Sequence, residues 1–276
     1  MDSTSTVTTP LLEGHSALIF GAASGIGKCT ALAMARHGAS KLALCDYNAD
    51  ALDALVELLK ASWPQVDAIK TVMDVRKAGQ VHEAVAESVS RFGRIDVAVN
   101  SAGIIGPQAP LQSVEEDEWQ GLLEINLSGV FRCQKEELAV MMKQEDLGAR
   151  RGRGAIINLA SMYGVIAPPA TINIDAYTAA KHAVVGLTRA GANAYASHGV
   201  RINAMCPGYT ATPLLHASNI AEQLGEAVAQ HIDTHCPMKR FAAPEEIADA
   251  LVFLASPMSS FVNGAAVMVD GGMSSN

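Results

Sequence analysis

Cysteine is sparse in this chain of 276 residues, and its placement excludes a disulfide framework. The five cysteines (Cys29, Cys45, Cys133, Cys206 and Cys236) are scattered, odd in number and form no Cys-x-x-Cys pair. That pattern favours a reduced setting, so a cytoplasmic protein is expected. Long apolar runs are also missing. None approaches the roughly 18–20 residues of a membrane span, which excludes a helical membrane protein. Residues 1–10 are Ser/Thr-rich, carry Asp2 and lack both an apolar stretch and arginine, so no secretory or transit signal is expected. The closing Ser-Ser-Asn matches no retention or peroxisomal address. Positive charge is scarce too. Twenty Lys and Arg face 28 Asp and Glu, for a net charge of −8, and the one basic cluster is Arg150-Arg151-Gly152-Arg153. It reads as a solvated loop, and nucleic acid is excluded as a partner.

What is present is apolar and regularly spaced. Apolar residues make up 49% and charged residues 17%, a balance that excludes disorder. A chain of this length buries about three quarters of its unfolded surface, so no metal or disulfide staple is required. Short apolar runs alternate with helical patterns almost throughout. Strands are expected at Ala17–Phe20, Lys41–Cys45, Ala68–Met73, Val97–Asn100, Ala155–Leu159, Arg201–Met205 and Ala265–Val269. Apolar residues at three- and four-residue steps, such as Leu52, Leu55 and Leu59 or Val81, Val85 and Val89, mark helices between them. Pro244 followed by Glu245-Glu246 starts a further helix, with acids at the positive end of its dipole. Seven strands with helical crossovers predict an α/β fold with one doubly wound, seven-stranded parallel sheet. Residues 1–12 are expected to form a flexible tail and 13–276 a single domain. Glu145–Gly154 reads as a surface connection. The long excursion after Pro207-Gly208, about residues 213–240, reads as a helical substrate lid.

Three local patterns carry chemistry. The first strand runs into Gly21-Ala-Ala-Ser24-Gly25-Ile26-Gly27, and a helix follows at once. Glycines let the backbone turn tightly and approach a pyrophosphate, which the helix N-terminus attracts. Asp46 closes the second strand about 20 residues beyond the loop, where an acid accepts ribose hydroxyls and repels a 2′-phosphate. Tyr47 follows it, and no cation stands ready for a 2′-phosphate, which favours NAD over NADP. Asp46 also suits a turn that caps the helix at Asn48–Asp50. Asp74, ending the third strand, suits an adenine amino group or a plain strand-end turn. Tyr177 and Lys181 stand at i and i+4 on an Ala-rich helix, so a phenol and an ammonium project side by side. A neighbouring positive charge lowers a phenol pKa from about 10 towards neutrality, and such a phenol exchanges protons with an alcohol oxygen. The same spacing also describes an ordinary surface pair.

Taken together, these residues resemble the short-chain dehydrogenase/reductase family over about Glu13 to Gly272. Besides Gly21–Gly27 the resemblance rests on Asn100-Ser101-Ala102-Gly103, on Asn126 in Asn-Leu-Ser-Gly-Val-Phe and on Ser161 in Ile-Ile-Asn-Leu-Ala-Ser. Tyr177-x-x-x-Lys181, Pro207-Gly208-Tyr-Thr-Ala-Thr212 and Asp270-Gly271-Gly272 complete it. The resemblance implies a Rossmann fold and a catalytic set of Asn126, Ser161, Tyr177 and Lys181. In it Tyr177 is the general acid/base and Ser161 positions the reacting oxygen. Lys181 lowers the Tyr177 pKa and binds the nicotinamide ribose, Asn126 holds a water that relays protons, and Thr212 bonds the carboxamide. Cofactor contacts are expected from Gly21, Ser24, Gly25, Ile26, Gly27, Asp46, Tyr47, Asp74, Val75, Asn100, Ala102 and Gly103. Tyr177, Lys181, Pro207, Gly208, Thr210 and Thr212 are expected to contribute on the nicotinamide side. A homotetramer or homodimer is implied by the resemblance alone, with contacts around Trp119–Lys143 and Tyr177–Ser197.

Three departures from the family pattern stand out. Phe20 replaces a threonine before the loop, Ser101 replaces the second asparagine, and Ser161 and Tyr177 are separated by more residues than is usual. The extra length falls in Gly164–Asp175 and is expected to enlarge a pocket wall. Ile104, Ile105, Met162, Tyr163, Leu214, Leu215 and Met238 are the other expected wall residues and favour an apolar substrate. Lys239 and Arg240 are expected at the far end of the lid. His231, Asp233, His235 and Cys236 have spacing that could ligate zinc, but they read as a polar lid helix, and no metal is expected. His182, Cys206 and Met141-Met142 read as an off-face histidine, a buried strand-end thiol and helix packing. The sequence points to an NAD(H)-dependent oxidoreductase interconverting a secondary alcohol and a ketone, on an apolar or cyclic substrate of specialised metabolism. The alternatives are an NADPH-dependent ketoreductase, an isomerase or eliminase on the same fold, and a non-catalytic NAD sensor.

Overall fold

The computed structural model describes residues 10–214 and 231–275. Seven strands form one all-parallel sheet: β1 (Ser16–Phe20), β2 (Lys41–Asp46), β3 (Asp67–Val72), β4 (Val97–Asn100), β5 (Gly154–Leu159), β6 (Val200–Pro207) and β7 (Ala266–Val269). Their order across the sheet is β3-β2-β1-β4-β5-β6-β7. Among the described residues the longer helices are α1 (Gly25–Arg36), α2 (Ala49–Ser62), α3 (Ala78–Phe92), α4 (Glu116–Asn126), α5 (Ser128–Met141), α6 (Asp175–Tyr195) and α7 (Pro244–Ala255). This is the doubly wound α/β fold that the alternation of patterns predicts.

The strand sequences explain why both faces are covered. Ala17 and Ile19 of β1, Leu42 and Leu44 of β2, and Val97 and Val99 of β4 pack with Ala31, Met34, Leu52, Leu55 and Leu251 of α1, α2 and α7. Their alternate neighbours Leu18, Phe20, Ala43, Cys45 and Ala98 pack on the other face with Val81, Val85, Cys133 and Met141 of α3 and α5. Successive side chains of a strand point to opposite faces, so a run that is apolar at every position needs a helix layer on each side. The β3 residues are all half-buried or exposed because β3 is an edge strand.

Helix starts follow local chemistry. The Asn48 side chain accepts from Ala51 N–H at the head of α2. Glu118 accepts from the Glu115 N–H ahead of α4, as Glu246 does from Ala243 N–H ahead of α7. Pro244 occupies the first turn of α7, as the sequence predicts.

Two boundaries move. Leu12 is fully buried and its N–H donates to the His37 carbonyl at 2.9 Å, so the packed domain begins before residue 13. Strand β3 ends at Val72, so Asp74 sits two residues beyond it, in the turn towards α3. The expected lid at 213–240 falls partly outside the described residues. Within it 231–235 are helical, with the His231 and His235 rings stacked at 4.2 Å. Strand order reverses between β1 and β4, and in open parallel sheets ligands bind in the crevice that this reversal leaves beyond the strand ends.

Candidate active site

A cavity of about 710 Å³ opens at that crevice, lined by the Gly21–Gly27 loop, Asp46, Ser161, Tyr177, Lys181 and the Pro207–Leu214 segment. Its first half is built from β1, β2 and β4. Gly21 adopts φ 79°, and a Cβ there would stand 2.6 Å from the Ala102 backbone nitrogen, so only glycine fits. A Cβ on Gly27 would lie 2.0 Å from the Gly21 carbonyl, which keeps α1 tight against the strand end. Ser24 caps α1 with extended backbone and spends no side-chain bond on the cap, so its hydroxyl and the helix N-terminus could hold a phosphate. Asp46 closes β2 as expected. Its Oδ2 accepts from Ala23 N–H at 2.9 Å and Oδ1 from Asn48 N–H at 3.1 Å, so the carboxylate is oriented and keeps lone pairs for two hydroxyls. The Ser101 hydroxyl donates to the Phe20 carbonyl at 2.8 Å, knitting β4 to the start of the loop in place of the absent asparagine. These groups fit a dinucleotide.

The adenosine end differs in detail from expectation. Arg76 lines the same cavity, a cation that sequence reasoning did not place there. Its guanidinium is held by Asp74, with Nε 2.8 Å and Nη2 2.6 Å from Oδ2, and that bond lowers the Asp74 pKa. Asp74 thus faces Arg76 first. Tyr47 is exposed at the rim, and Val75, Ala102, Gly103, Pro207, Gly208, Thr210 and Thr212 all line the cavity. Asn100 does not. It lies beneath the floor, buried, and joins a network described below.

Ser161 sits just past β5, and Tyr177 and Lys181 lie one turn apart near the start of α6. All three reach the cavity. Lys181 Nζ donates to the Leu159 carbonyl at 2.7 Å and stands 5.5 Å from the centre of the Tyr177 ring. The expected lowering of the Tyr177 pKa is not met. Burial pushes the phenol up, and the Ser161 hydrogen bond opposes that push. Burial also brings Lys181 down to about 8. The ammonium is turned towards a backbone carbonyl, and loss of solvent outweighs it. Asn126 ends α4 fully buried. Its Nδ2 donates to the Ile104 carbonyl at 2.7 Å and its Oδ1 accepts from Ile104 N–H at 2.9 Å. A Cβ on Gly103 would lie 3.3 Å from Asn126 Oδ1 and 3.6 Å from Lys181 Nζ, so the three residues meet at one point. Both ends of the Asn126 amide first serve to clamp the loop after β4.

The second half of the cavity is apolar. Ile104, Ile105, Met162, Tyr163 and Leu214 line it as expected, while Leu215 lies outside the described residues. Met238 borders a separate cavity of about 80 Å³ instead. Lys239 is 3.7 Å from Asp233 and Arg240 pairs with Glu246 at 2.7 Å. The 164–175 segment does form wall, through Ile172 and Ile174. Sequence reasoning missed Tyr209, whose hydroxyl meets that of Tyr163 at 2.7 Å. Among the described residues no group of three or more His, Cys, Asp or Glu is arranged for a metal. His182 is exposed and its Nδ1 contacts the Thr178 carbonyl. Burial pushes the Cys206 thiol up to about 11, so it is a poor nucleophile.

A buried polar network underlies the β4 end. Asn100 Nδ2 donates to Glu137 Oε2 at 3.1 Å and to Asn158 Oδ1 at 2.9 Å, and Asn158 Nδ2 donates to Gln134 and Thr188. Glu137 is fully buried, and burial lifts its pKa to about 8. Its Oε1 and Asn100 Oδ1 have no hydrogen-bond partner among the described residues.

A glycine loop against a helix N-terminus, facing a phenol and an ammonium across one cavity, defines the class of nicotinamide-dependent oxidoreductases. Residues 21–274 match the family model described as enoyl-(acyl carrier protein) reductase. The chain belongs to the short-chain dehydrogenase/reductase family. It is 40% identical over 267 residues to the short-chain dehydrogenase fogB of Aspergillus ruber, covering 93% of this chain and 96% of that one. The crystal structure of levodione reductase superposes with a TM-score of 0.88 at 36% identity, covering 96% of this chain and 99% of that one. A gluconate 5-dehydrogenase from Burkholderia cenocepacia, solved with NADP and tartrate, superposes with a TM-score of 0.85 at 34% identity over 97% and 98% of the chains. No described helix is long and apolar enough to cross a membrane.

Proposed function

We propose that this oxidoreductase uses NAD(H) to interconvert a secondary alcohol and a ketone on an apolar or ring-bearing substrate of specialised metabolism. The observation that carries this reading is the convergence of Ser161, Tyr177 and Lys181 on the cavity that Asp46 and the glycine loop also line. The cofactor, when bound, gives or takes the hydride. The protein's own residues handle the oxygen and its proton. Tyr177 delivers a proton to the ketone oxygen or removes it from the alcohol, and Ser161 holds that oxygen by a hydrogen bond. Lys181, anchored on the Leu159 carbonyl, supplies positive charge beside the phenol, and its ammonium would donate to the ribose hydroxyls. Asn126 holds Gly103 and Ile104 in place, and the rest of its hydrogen-bonding capacity serves a water between Lys181 and solvent. Thr212, which packs 3.4 Å from where a Gly25 Cβ would stand, lies over the loop and would hold the carboxamide.

Apolar walls and the engagement of Lys239 and Arg240 elsewhere support a substrate without carboxylate or phosphate. NADP is the second reading, favoured by Arg76 at the adenosine end and by the NADP in the gluconate 5-dehydrogenase. Asp46 weighs against it by charge. The test follows nicotinamide absorbance with NADH and NADPH over a panel of cyclic and aliphatic ketones. NADH-dependent turnover of cyclic ketones is expected. Equal rates with NADPH would overturn the cofactor reading, and binding of NAD without turnover of any alcohol or ketone would turn the protein into a sensor.

A further inference from the structure

The apolar half of the cavity holds one polar feature that the reaction does not use. Tyr163 and Tyr209, 46 residues apart in sequence, bring their hydroxyls to 2.7 Å, with rings edge-on at 6.2 Å and 82°. Both line the cavity, and both belong to the cluster formed by Met162, Ile172 and Ile174, against which Tyr177 also packs. The pair is held firmly. Tyr163 N–H donates to Ser161 Oγ at 3.1 Å, and the Tyr209 ring meets Phe241 and His231 edge-on at 6.3 and 6.1 Å. Burial pushes both phenols above their ordinary pKa, so both keep their protons across the working range of pH. Hydrogen-bond counting then gives a definite result. Two phenols own two O–H donors, and the bond between them uses one. The other donor remains for a partner, in surroundings of isoleucine and methionine where an unmet polar group is costly.

We propose that the Tyr163–Tyr209 pair is a second polar subsite of the substrate pocket, donating a hydrogen bond to a substrate oxygen other than the one that reacts. The substrate class is then an apolar ring ketone with two oxygen functions, a diketone or a hydroxyketone, and not a plain hydrocarbon ketone. This rests on the oxidoreductase reading of the preceding section. Tyr209 and Tyr163 act in it as specificity-determining residues.

The experiment compares cyclohexane-1,4-dione with cyclohexanone, which share a ring and differ by one carbonyl. Wild type is expected to prefer the dione in kcat/KM. Tyr209→Phe, which keeps the ring and its edge contacts, is expected to lower that preference about three- to tenfold, the worth of one neutral hydrogen bond, chiefly through KM. Tyr163→Phe is expected to act in the same direction, and the double variant, which removes both O–H donors where each single variant leaves one, is expected to lower the preference furthest. An equal fall for both ketones would mark a structural role and overturn the proposal, as would an unchanged preference. Calorimetric titration of both ketones into wild type and Tyr209→Phe separates the two ideas. Absence of turnover by wild type overturns the oxidoreductase reading, whereas equal dione affinity in the two proteins overturns the subsite.

Discussion

The two halves of the cavity are built by different means. The cofactor half is made where strand ends become helices. Gly21, Ser24, Gly27 and Asp46 lie within a few residues of β1, β2 or α1, and backbone geometry alone places them. The substrate half is made where distant loops meet. Tyr163 follows β5, Tyr209 follows β6, and Ile172 precedes α6, so their positions depend on the packing of the whole domain. Groups built into the sheet ends act on every substrate alike, because the cofactor is common to all. Groups assembled from loops discriminate between substrates. Tyr177 stands at the seam, on the face of α6 that closes both.

That contrast can be broken by substitution, beginning with the seam. Tyr177→Phe is expected to lower kcat about 10³-fold for every substrate, within the range of general acid–base catalysis, while leaving the cofactor Kd within about twofold. Steady-state kinetics and calorimetry check both halves of the statement. A smaller loss confined to one substrate would move Tyr177 into the discriminating group.

Beneath the cofactor half, Glu137 gives a pH test. Its folded-state pKa is raised from 4.5 to about 8, so the folded protein holds a proton that the unfolded chain releases. Folding is favoured below pH 4.5, and that contribution is lost as pH rises through about 8. Glu137→Gln removes the titration. Its stability relative to wild type is expected to grow between pH 5 and 9 by an amount on the order of 2–4 kcal/mol, read by urea unfolding at several pH values. A difference flat in pH would mean that Glu137 ionises as freely in the folded chain as in the unfolded one.

A smaller effect sharpens the contrast further. Asp46→Asn removes the charge proposed to meet the ribose and is expected to raise the NADH KM about 10- to 100-fold by the same factor for all ketones. Kinetics with two unrelated substrates check the equality. Tyr209→Phe is its smaller counterpart, changing a ratio between substrates and not a common factor.

The same division explains what could be read in the chain before the fold was known. Gly21–Gly27, Asp46 and Tyr177-x-x-x-Lys181 were legible because their geometry is local: a turn, a strand end and one helical step. The seven strands were legible because uninterrupted apolar runs of four to six residues between helical periods leave few other arrangements. Tyr209 was not, since nothing near it in sequence announces Tyr163. Glu137 was hidden differently. It follows Lys135 and Glu136 in a run of charged residues, yet it is fully buried, because α5 turns that position towards Asn100 on β4. The direction of the Tyr177 pKa was misread for a related reason. Helical spacing places Lys181 beside the phenol but does not show the Leu159 carbonyl that accepts its hydrogen bond, nor the burial of both groups.

In the proposed reaction this cavity moves a hydride between nicotinamide and a carbinol carbon. Its most direct test supplies NADH deuterated at the transferable position of the nicotinamide together with a cyclic ketone that the protein turns over, and analyses the product by mass spectrometry. One deuterium, bound to the carbinol carbon, is expected. An alcohol formed without the label, or an isomerised ketone in its place, would contradict it.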